Sequence, residues 1–289
     1  MPELPEVETV RQGLIPVVNN KQITRVEKRR SNLRWPLPLD MAERLVTFKI
    51  QNIARRSKYI LFNLSSDETL LVHLGMSGRL LVYKNQVKSH EFSGSFKFNT
   101  CKTDKHDHVI IHLDSDIRVV YNDPRRFGAM DITPTKQLNM HKWLKNLGPE
   151  PLSNEFSSDY LYEKLKKRKS SVKAALMDQT LVAGLGNIYV LEALWLSGIS
   201  PLRLSLSLEI SEVESLAASI ISVLNSAISA GGTSLQDFRH VGGEIGYFQQ
   251  SLNVYGCFNE KCRNIDCLGT IKRLKQSGRT SYYCDRCQK

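Results

Sequence analysis

Long apolar runs are missing from this 289-residue chain, and acidic residues are outnumbered by basic ones. The one candidate for a membrane span, Ser215 to Gln236, is interrupted by Ser219, Ser222, Asn225, Ser226 and Ser229 and stops at Gly231-Gly232. Its apolar residues Leu216, Ile220, Val223, Leu224, Ala227 and Ile228 recur at helical spacing behind an expected capping box of Ser211 and Glu214, which reads as a core helix. Cysteine is scarce ahead of residue 257, where Cys101 stands alone, and no export signal is visible, which points to a reducing, cytoplasmic interior without membrane contact. With 29 acidic against 40 basic residues the formal net charge is +11 and the pI about 9.4, so the expected partner is a polyanion, nucleic acid before membrane. A chain of this length with 41% hydrophobic residues can bury a sizeable core and divide into two domains.

What is present concentrates at the two ends. Five of the six cysteines lie in the tail: Cys257, Cys262, Cys267, Cys284 and Cys287. Cys284 and Cys287 make a C-x-x-C pair, and Cys262 and Cys267 a C-x4-C pair sixteen residues earlier. Four thiolates in two close pairs suit one tetrahedral zinc ion, whereas a disulfide framework or a thioredoxin-like redox pair fits the chain poorly. Cys257 with Cys262 is the alternative first pair. At the other end the chain opens Met1-Pro2-Glu3-Leu4-Pro5-Glu6-Val7-Glu8. Removal of Met1 would leave Pro2 a secondary α-amine, and such amines titrate near ~7.7–8.0, so a useful fraction is nucleophilic at neutral pH. The plainer alternative is a helix start, with Pro5 at the first helical position and acids complementing the helix dipole.

Between the ends the hydrophobic period changes. Up to about Thr133 the chain reads as short strands, 22–29, 48–55, 59–64, 69–74, 78–83, 108–113 and 118–122, as expected for a β-sandwich. The stretch 85–105 is polar and basic, an expected exposed loop. From about Leu152 the period is helical, over 159–167, 172–177, 188–197, 211–229 and 233–238, with a turn-rich linker around Leu147-Gly148-Pro149-Glu150-Pro151. Basic residues crowd Lys164, Lys166, Lys167, Arg168, Lys169 and Lys173, and the tail from Cys257 carries eight basic against three acidic residues. Two such clusters around a cysteine knuckle favour phosphate binding.

Taken in order, these pieces make the chain similar to the formamidopyrimidine-DNA glycosylase family, nearly end to end. The resemblance rests on the opening Pro2–Thr9, Arg34-Trp35-Pro36, Ser57-Lys58-Tyr59, His73-Leu74-Gly75-Met76-Ser77-Gly78, Lys105-His106-Asp107-His108 and Asp123-Pro124-Arg125-Arg126-Phe127-Gly128. It continues through Leu176-Met177-Asp178-Gln179, Gly184-Leu185-Gly186-Asn187-Ile188-Tyr189, Gly246-Tyr247-Phe248, Val254-Tyr255-Gly256 and the cysteine tail. It implies an α+β fold: an N-terminal β-sandwich domain with an N-terminal helix (1–133), a linker (134–151), a helix–two-turn–helix domain with a lesion-capping loop (152–250), and a C-terminal zinc-bound β-hairpin (251–289). It also implies a monomeric bacterial base-excision-repair enzyme, acting on damaged double-stranded DNA. Such an enzyme removes 8-oxoguanine and formamidopyrimidines and then cleaves the strand by β,δ-elimination.

The resemblance assigns the Schiff-base nucleophile to Pro2, the general acid/base to Glu3, an orienting carboxylate to Glu6, an acid/base or phosphate-positioning role to Lys58, and to Arg279 a catalytic place as a phosphate clamp that assists the last elimination. It makes Met76, Arg125 and Phe127 the group that fills the space left by a flipped nucleotide, with Arg125 reading the opposite cytosine. His106, Arg168 and Asn187 match DNA-contact positions, Asn187 closing a glycine turn suited to phosphate. Zinc falls to Cys262, Cys267, Cys284 and Cys287. One departure stands in the capping loop, where Glu244 occupies a position that some family members fill with lysine. A carboxylate accepts hydrogen bonds and does not donate them unless protonated, so lesion preference is left open. Two other readings remain: a non-enzymatic zinc-bearing nucleic-acid binder, which wastes Pro2, Glu3 and Lys58, and a pyrimidine-specific enzyme of the related endonuclease VIII branch, which the Arg125 and Phe127 loop disfavours.

Overall fold

The structure, a computed structural model, describes Met1–Lys84, Asp104–Thr233 and Phe248–Lys289. It divides into two compact units, Met1–Lys145 with Gly231–Tyr247, and Asn146–Ala230 with Phe248–Lys289. The expected exposed loop, from position 85 to 103, and the expected helix over 233–238 beyond Thr233 lie outside the described residues, as do Cys101 and Glu244.

The first unit begins with α1, Leu4–Val18. Glu3 is its N-cap, and its backbone N–H donates to Glu6 Oε2 at 2.9 Å, closing the turn as a Glu at the third helical position can. Pro5 falls at the second helical position, one place deeper than expected. Eight strands then form two antiparallel sheets. One runs β1 (Ile23–Lys28), β6 (Asp107–Leu113), β7 (Ile117–Asn122), β5 (Arg79–Lys84); the other runs β2 (Ile50–Arg56), β3 (Tyr59–Leu64), β4 (Glu68–His73), β8 (Ala129–Pro134). Ile23, Val82, Ile111 and Val119 from the first sheet share one core with Ile53, Phe62, Val72 and Ile132 from the second, and Val7, Val10 and Leu14 of α1 join it. This is the expected sandwich. Three elements were not anticipated: β8, the 3-10 helix Thr135–Met140, and the single-turn α2, Met41–Leu45, whose Met41 and Leu45 are fully buried.

The second unit is helical, with α3 (Ser158–Leu165), α4 (Val172–Leu176), α5 (Asn187–Leu196) and α6 (Ile210–Ser229). Ser157 and Ser171 cap α3 and α4 by accepting from Tyr160 N at 3.1 Å and Ala174 N at 3.3 Å. The start of α6 corrects the sequence reading. Its capping pair is Glu209 and Glu212, not Ser211 and Glu214. Arg203 decides this by donating to Glu212 Oε2 at 3.0 Å, which holds that carboxylate against the Glu209 N–H. The hairpin β9 (Ile271–Gln276) and β10 (Arg279–Cys284) follows, with β10 packed on α5. Its lead-in is anchored by Glu192 of α5, a buried carboxylate that accepts from Asn253 N, Val254 N and Tyr255 N at 2.9 Å each. Three successive N–H groups make an anion nest, here filled by the chain's own side chain.

Candidate active site and metal centre

Pro2, Glu3 and Glu6 are all buried, in a segment whose apolar neighbours Leu4 and Val7 are core residues. Glu6 holds both ends of a local circuit. Its Oε2 takes the Glu3 N–H, while its Oε1 accepts from Thr233 N and Thr233 Oγ1 at 2.8 Å each. Gly232 makes room for this at φ +75°, where an added Cβ would come 3.1 Å from Glu6 Oε1. The orienting carboxylate expected from sequence thus sits between the chain opening and the Gly232-Thr233 segment.

Lys58 is 6% exposed, in the two-residue turn between the paired Arg56 and Tyr59, with Ser57 at φ +54°. The turn is tied to α1 by Arg55, which donates from Nη1 to Ser57 O at 2.9 Å and from Nε to Glu8 Oε2 at 3.0 Å. Arg11 shares Glu8 at 3.0 Å. Burial opposes ionisation of Glu8, but the two guanidiniums prevail and hold its carboxyl below the usual range. The helix that follows Pro2 and Glu3 and the turn carrying Lys58 are therefore fixed to each other by a part-buried ion network.

His73 opens the His73–Gly78 motif, and the sequence alone assigns it no role. It pairs with Tyr59 across β3 and β4, and the two rings lie 4.9 Å apart. Its Nδ1 accepts from Gly75 N at 3.0 Å, so the neutral ring carries its proton on Nε2. Burial first, and then the charges of Lys58 and Arg34, push its pKa down to about 4. With its proton on Nε2 the ring is a neutral N–H donor near Lys58, an arrangement suited to a phosphate oxygen.

Met76 (39% exposed) and Phe127 (44%) both project to the surface, and the Arg125 guanidinium lies 4.7 Å over the Phe127 ring. The two loops abut: a Cβ on Gly75 would sit 2.4 Å from Phe127 C and Gly128 N. His106 is partly buried, and its carbonyl accepts from Asp123 N at 3.0 Å, which ties it to the base of the same loop.

In the second unit Asn187 begins α5 directly after the turn at Gly184 (φ +83°) and Gly186. Gln179 holds the turn closed, accepting from Gly184 N at 2.9 Å and donating to Leu185 O at 2.8 Å, which explains the Asp178-Gln179 motif ahead of it. Asn187 Nδ2 donates to Thr280 O at 3.0 Å, and its buried Oδ1 has no partner among the described residues. Arg279 is exposed at the start of β10. Arg168 is not an unengaged surface cation: its Nη1 lies 2.7 Å from Asp178 Oδ2. Lys173, in sequence only one member of a basic cluster, is 2% exposed, and its Nζ donates to Ser281 Oγ at 2.7 Å. Burial, then the charge of Arg279, lowers it to about 8.

Cys262, Cys267, Cys284 and Cys287 place their sulfurs within 4.8 Å of one another, with Cys262–Cys287 at 3.6 Å and Cys267–Cys284 at 3.5 Å. A tetrahedron with Zn–S bonds of about 2.3 Å has sulfur–sulfur edges near ~3.8 Å, so the four fit such an ion. Trp195 Nε1 donates to Cys262 Sγ at 3.4 Å and Gly269 N to Cys267 Sγ at 3.4 Å, hydrogen bonds that favour thiolates. Burial and the neighbouring thiols Cys262 and Cys284 push the Cys287 thiol up, a crowding that a bound dication would relieve. Cys257 is buried outside the cluster, its sulfur facing Leu252 O and Tyr255 O.

Comparison with known proteins agrees with this arrangement. Residues 1–130 match the formamidopyrimidine-DNA glycosylase N-terminal domain and residues 147–239 the H2TH domain of the same enzymes. The chain is 52% identical to a formamidopyrimidine-DNA glycosylase of Ruegeria pomeroyi and 50% identical to one of Roseobacter denitrificans, over the whole of each. Among solved structures it matches the Lactococcus lactis Fpg in complex with abasic-site DNA, at 35% identity, 99% coverage of both chains and a TM-score of 0.86. MutM in complex with DNA containing carbocyclic 8-oxo-G matches at 35% identity, full coverage and the same score. Sandwich, helical turn and cysteine hairpin thus occur together and in order, and the chain belongs to the formamidopyrimidine-DNA glycosylase family.

Proposed function

We propose that this base-excision-repair DNA glycosylase and abasic-site lyase works through Pro2, exposed as a secondary amine by removal of Met1. The observation that carries the reading is the buried Pro2–Glu3 opening, locked to the Lys58 turn through Glu8, Arg55 and Ser57. Pro2 nitrogen attacks the sugar C1′ as the bond to an oxidised purine breaks, and the base leaves with a proton. Glu3 protonates the sugar ring oxygen, the ring opens, and an iminium forms between Pro2 and C1′. Loss of the C2′ proton then expels the 3′-phosphate, and a second elimination expels the 5′-phosphate. Lys58 and the Nε2–H of His73 hold phosphate oxygens, and so do Arg279 and Asn187 from the second unit. Met76, Arg125 and Phe127 fill the vacated space, and Arg125 reads cytosine on the other strand. His106 and Arg168 add backbone contacts, Arg168 in exchange for Asp178. The four clustered cysteines hold zinc, which would cross-link β10 to the Cys262–Cys267 loop and so steady Arg279; the enzyme acts as a monomer.

Borohydride trapping tests the nucleophile. An adduct with 8-oxoguanine duplex should map to the N-terminal peptide, survive partly in Pro2→Gly, where a primary amine remains, and vanish when Met1 is retained. An adduct mapping to Lys58 would reassign the chemistry.

A further inference from the structure

Asp123 is fully buried in the first unit, and among the described residues its carboxylate accepts from donors of the Met76 turn, the Phe127 loop and the core residue Tyr121. Its Oδ1 accepts from Ser77 Oγ at 2.6 Å, and its Oδ2 from Gly128 N at 2.9 Å and Tyr121 OH at 3.2 Å. Its own backbone N–H donates to His106 O at 3.0 Å, and its carbonyl accepts from Arg126 N at 3.2 Å and faces His108 Nε2 at 2.9 Å. Ser77 Oγ, while donating to Asp123, accepts from Arg125 N at 3.2 Å. Ser77 follows Met76, and Gly128 follows Phe127. A buried carboxylate is tolerated only while its donors stay in place, so one group makes the position of each loop depend on the other. The 2.4 Å approach of a Gly75 Cβ to Phe127 and Gly128 leaves no slack between them.

We propose that Ser77 and Asp123 form a positioning hub that joins the Met76 turn and the Arg125–Phe127 loop into one inserting body, and that discrimination of the opposite base depends on it. The inference rests on the reading of Met76, Arg125 and Phe127 as the void-filling group. Ser77 and Asp123 are both buried, at 4% and 0% exposure. Each acts by holding exposed side chains on a base that is already ordered, so insertion orders little further backbone and the Arg125 guanidinium meets the orphan base at a set height. Without the Ser77 hydroxyl, the Arg125 N–H and one carboxylate oxygen each lose a partner, and the two loops can settle independently.

The test compares Ser77→Ala with Arg125→Ala and Phe127→Ala as benchmarks. Three quantities are measured: single-turnover excision of 8-oxoguanine opposite cytosine and opposite adenine, the fluorescence of a 2-aminopurine beside the lesion as a report of insertion, and borohydride trapping on a single-stranded abasic oligonucleotide, which has no opposite base. Ser77→Ala should shrink the cytosine-to-adenine ratio about ten-fold, the scale of a lost directed contact, and slow the 2-aminopurine rise. It should trap the single strand at the wild-type rate. A wild-type ratio and rise in Ser77→Ala, with both benchmarks impaired, overturns the hub. So does an equal loss on the single strand, which marks a general structural defect. Benchmarks that themselves keep ratio and rise overturn the void-filling reading instead, and the hub with it.

Discussion

At the scale of single residues, neutrality is as much a designed property as charge. His73 stays uncharged because it is buried next to Lys58 and Arg34, and its folded-state pKa of about 4 lies below the ordinary 6.5. Between those values the unfolded chain binds a proton that the folded chain does not, so acidification from about 6.5 to about 4 destabilises the fold through this group. His73→Gln lacks the effect. The stability difference between wild type and His73→Gln, from urea unfolding, should shift against wild type as pH falls through that window; a constant difference would refute it. Pro2, Glu3 and Lys58 can be proposed from the sequence because chain position and motif point to their chemistry. His73 cannot, because its tautomer and neutrality come from Gly75, Lys58 and Arg34 brought together by strand pairing. The ion pair that occupies Arg168 was hidden for a simpler reason: Asp178 lies ten residues away, across a turn.

Among elements, the strands were legible where apolar residues alternate, and the cysteine hairpin where the cysteines repeat. β8 was not legible because Ala129–Pro134 offers two large apolar residues, Met130 and Ile132, and ends on a proline, and α2 because five residues are too few to show a period. The cysteine spacing left two candidate pairs, and the geometry chooses between them: Cys257 lies outside the cluster and its thiol is pushed up to about 11, first by burial and then by Glu260. Cys257→Ser should therefore retain one zinc per chain in elemental analysis, whereas Cys267→Ser should lose the metal and most duplex affinity. Zinc retained by Cys267→Ser would move the ligand set. Gly269→Ala belongs to the same element. Its Cβ would fall 2.6 Å from Cys284 Sγ, and it should hold zinc more weakly under chelator competition.

For the whole molecule the dominant quantity is charge. A formal +11 confers affinity for any duplex, damaged or not, and that part of binding must fade with salt. Each phosphate contact adds about 0.9 to the negative slope of log affinity against log salt. Arg279→Ala should lower the slope by about one on lesion-bearing and undamaged duplexes alike, measured by titration between low and moderate salt. An unchanged slope would remove Arg279 from the backbone contacts. Arg168→Ala should lower it by less, since Asp178 already neutralises part of that charge.

The nest formed by Asn253, Val254 and Tyr255 is a receptor that already contains its ligand, the carboxylate of Glu192. Cutting that side chain back to alanine would leave the receptor without its guest, and a small free carboxylate is the right shape and charge to enter. Glu192→Ala should melt early in chloride buffer and recover part of the loss in formate or acetate at equal ionic strength, while wild type ignores the change of anion. A buried structural carboxylate would then behave as a dissociable one, and the hairpin could be loosened and tightened from the buffer.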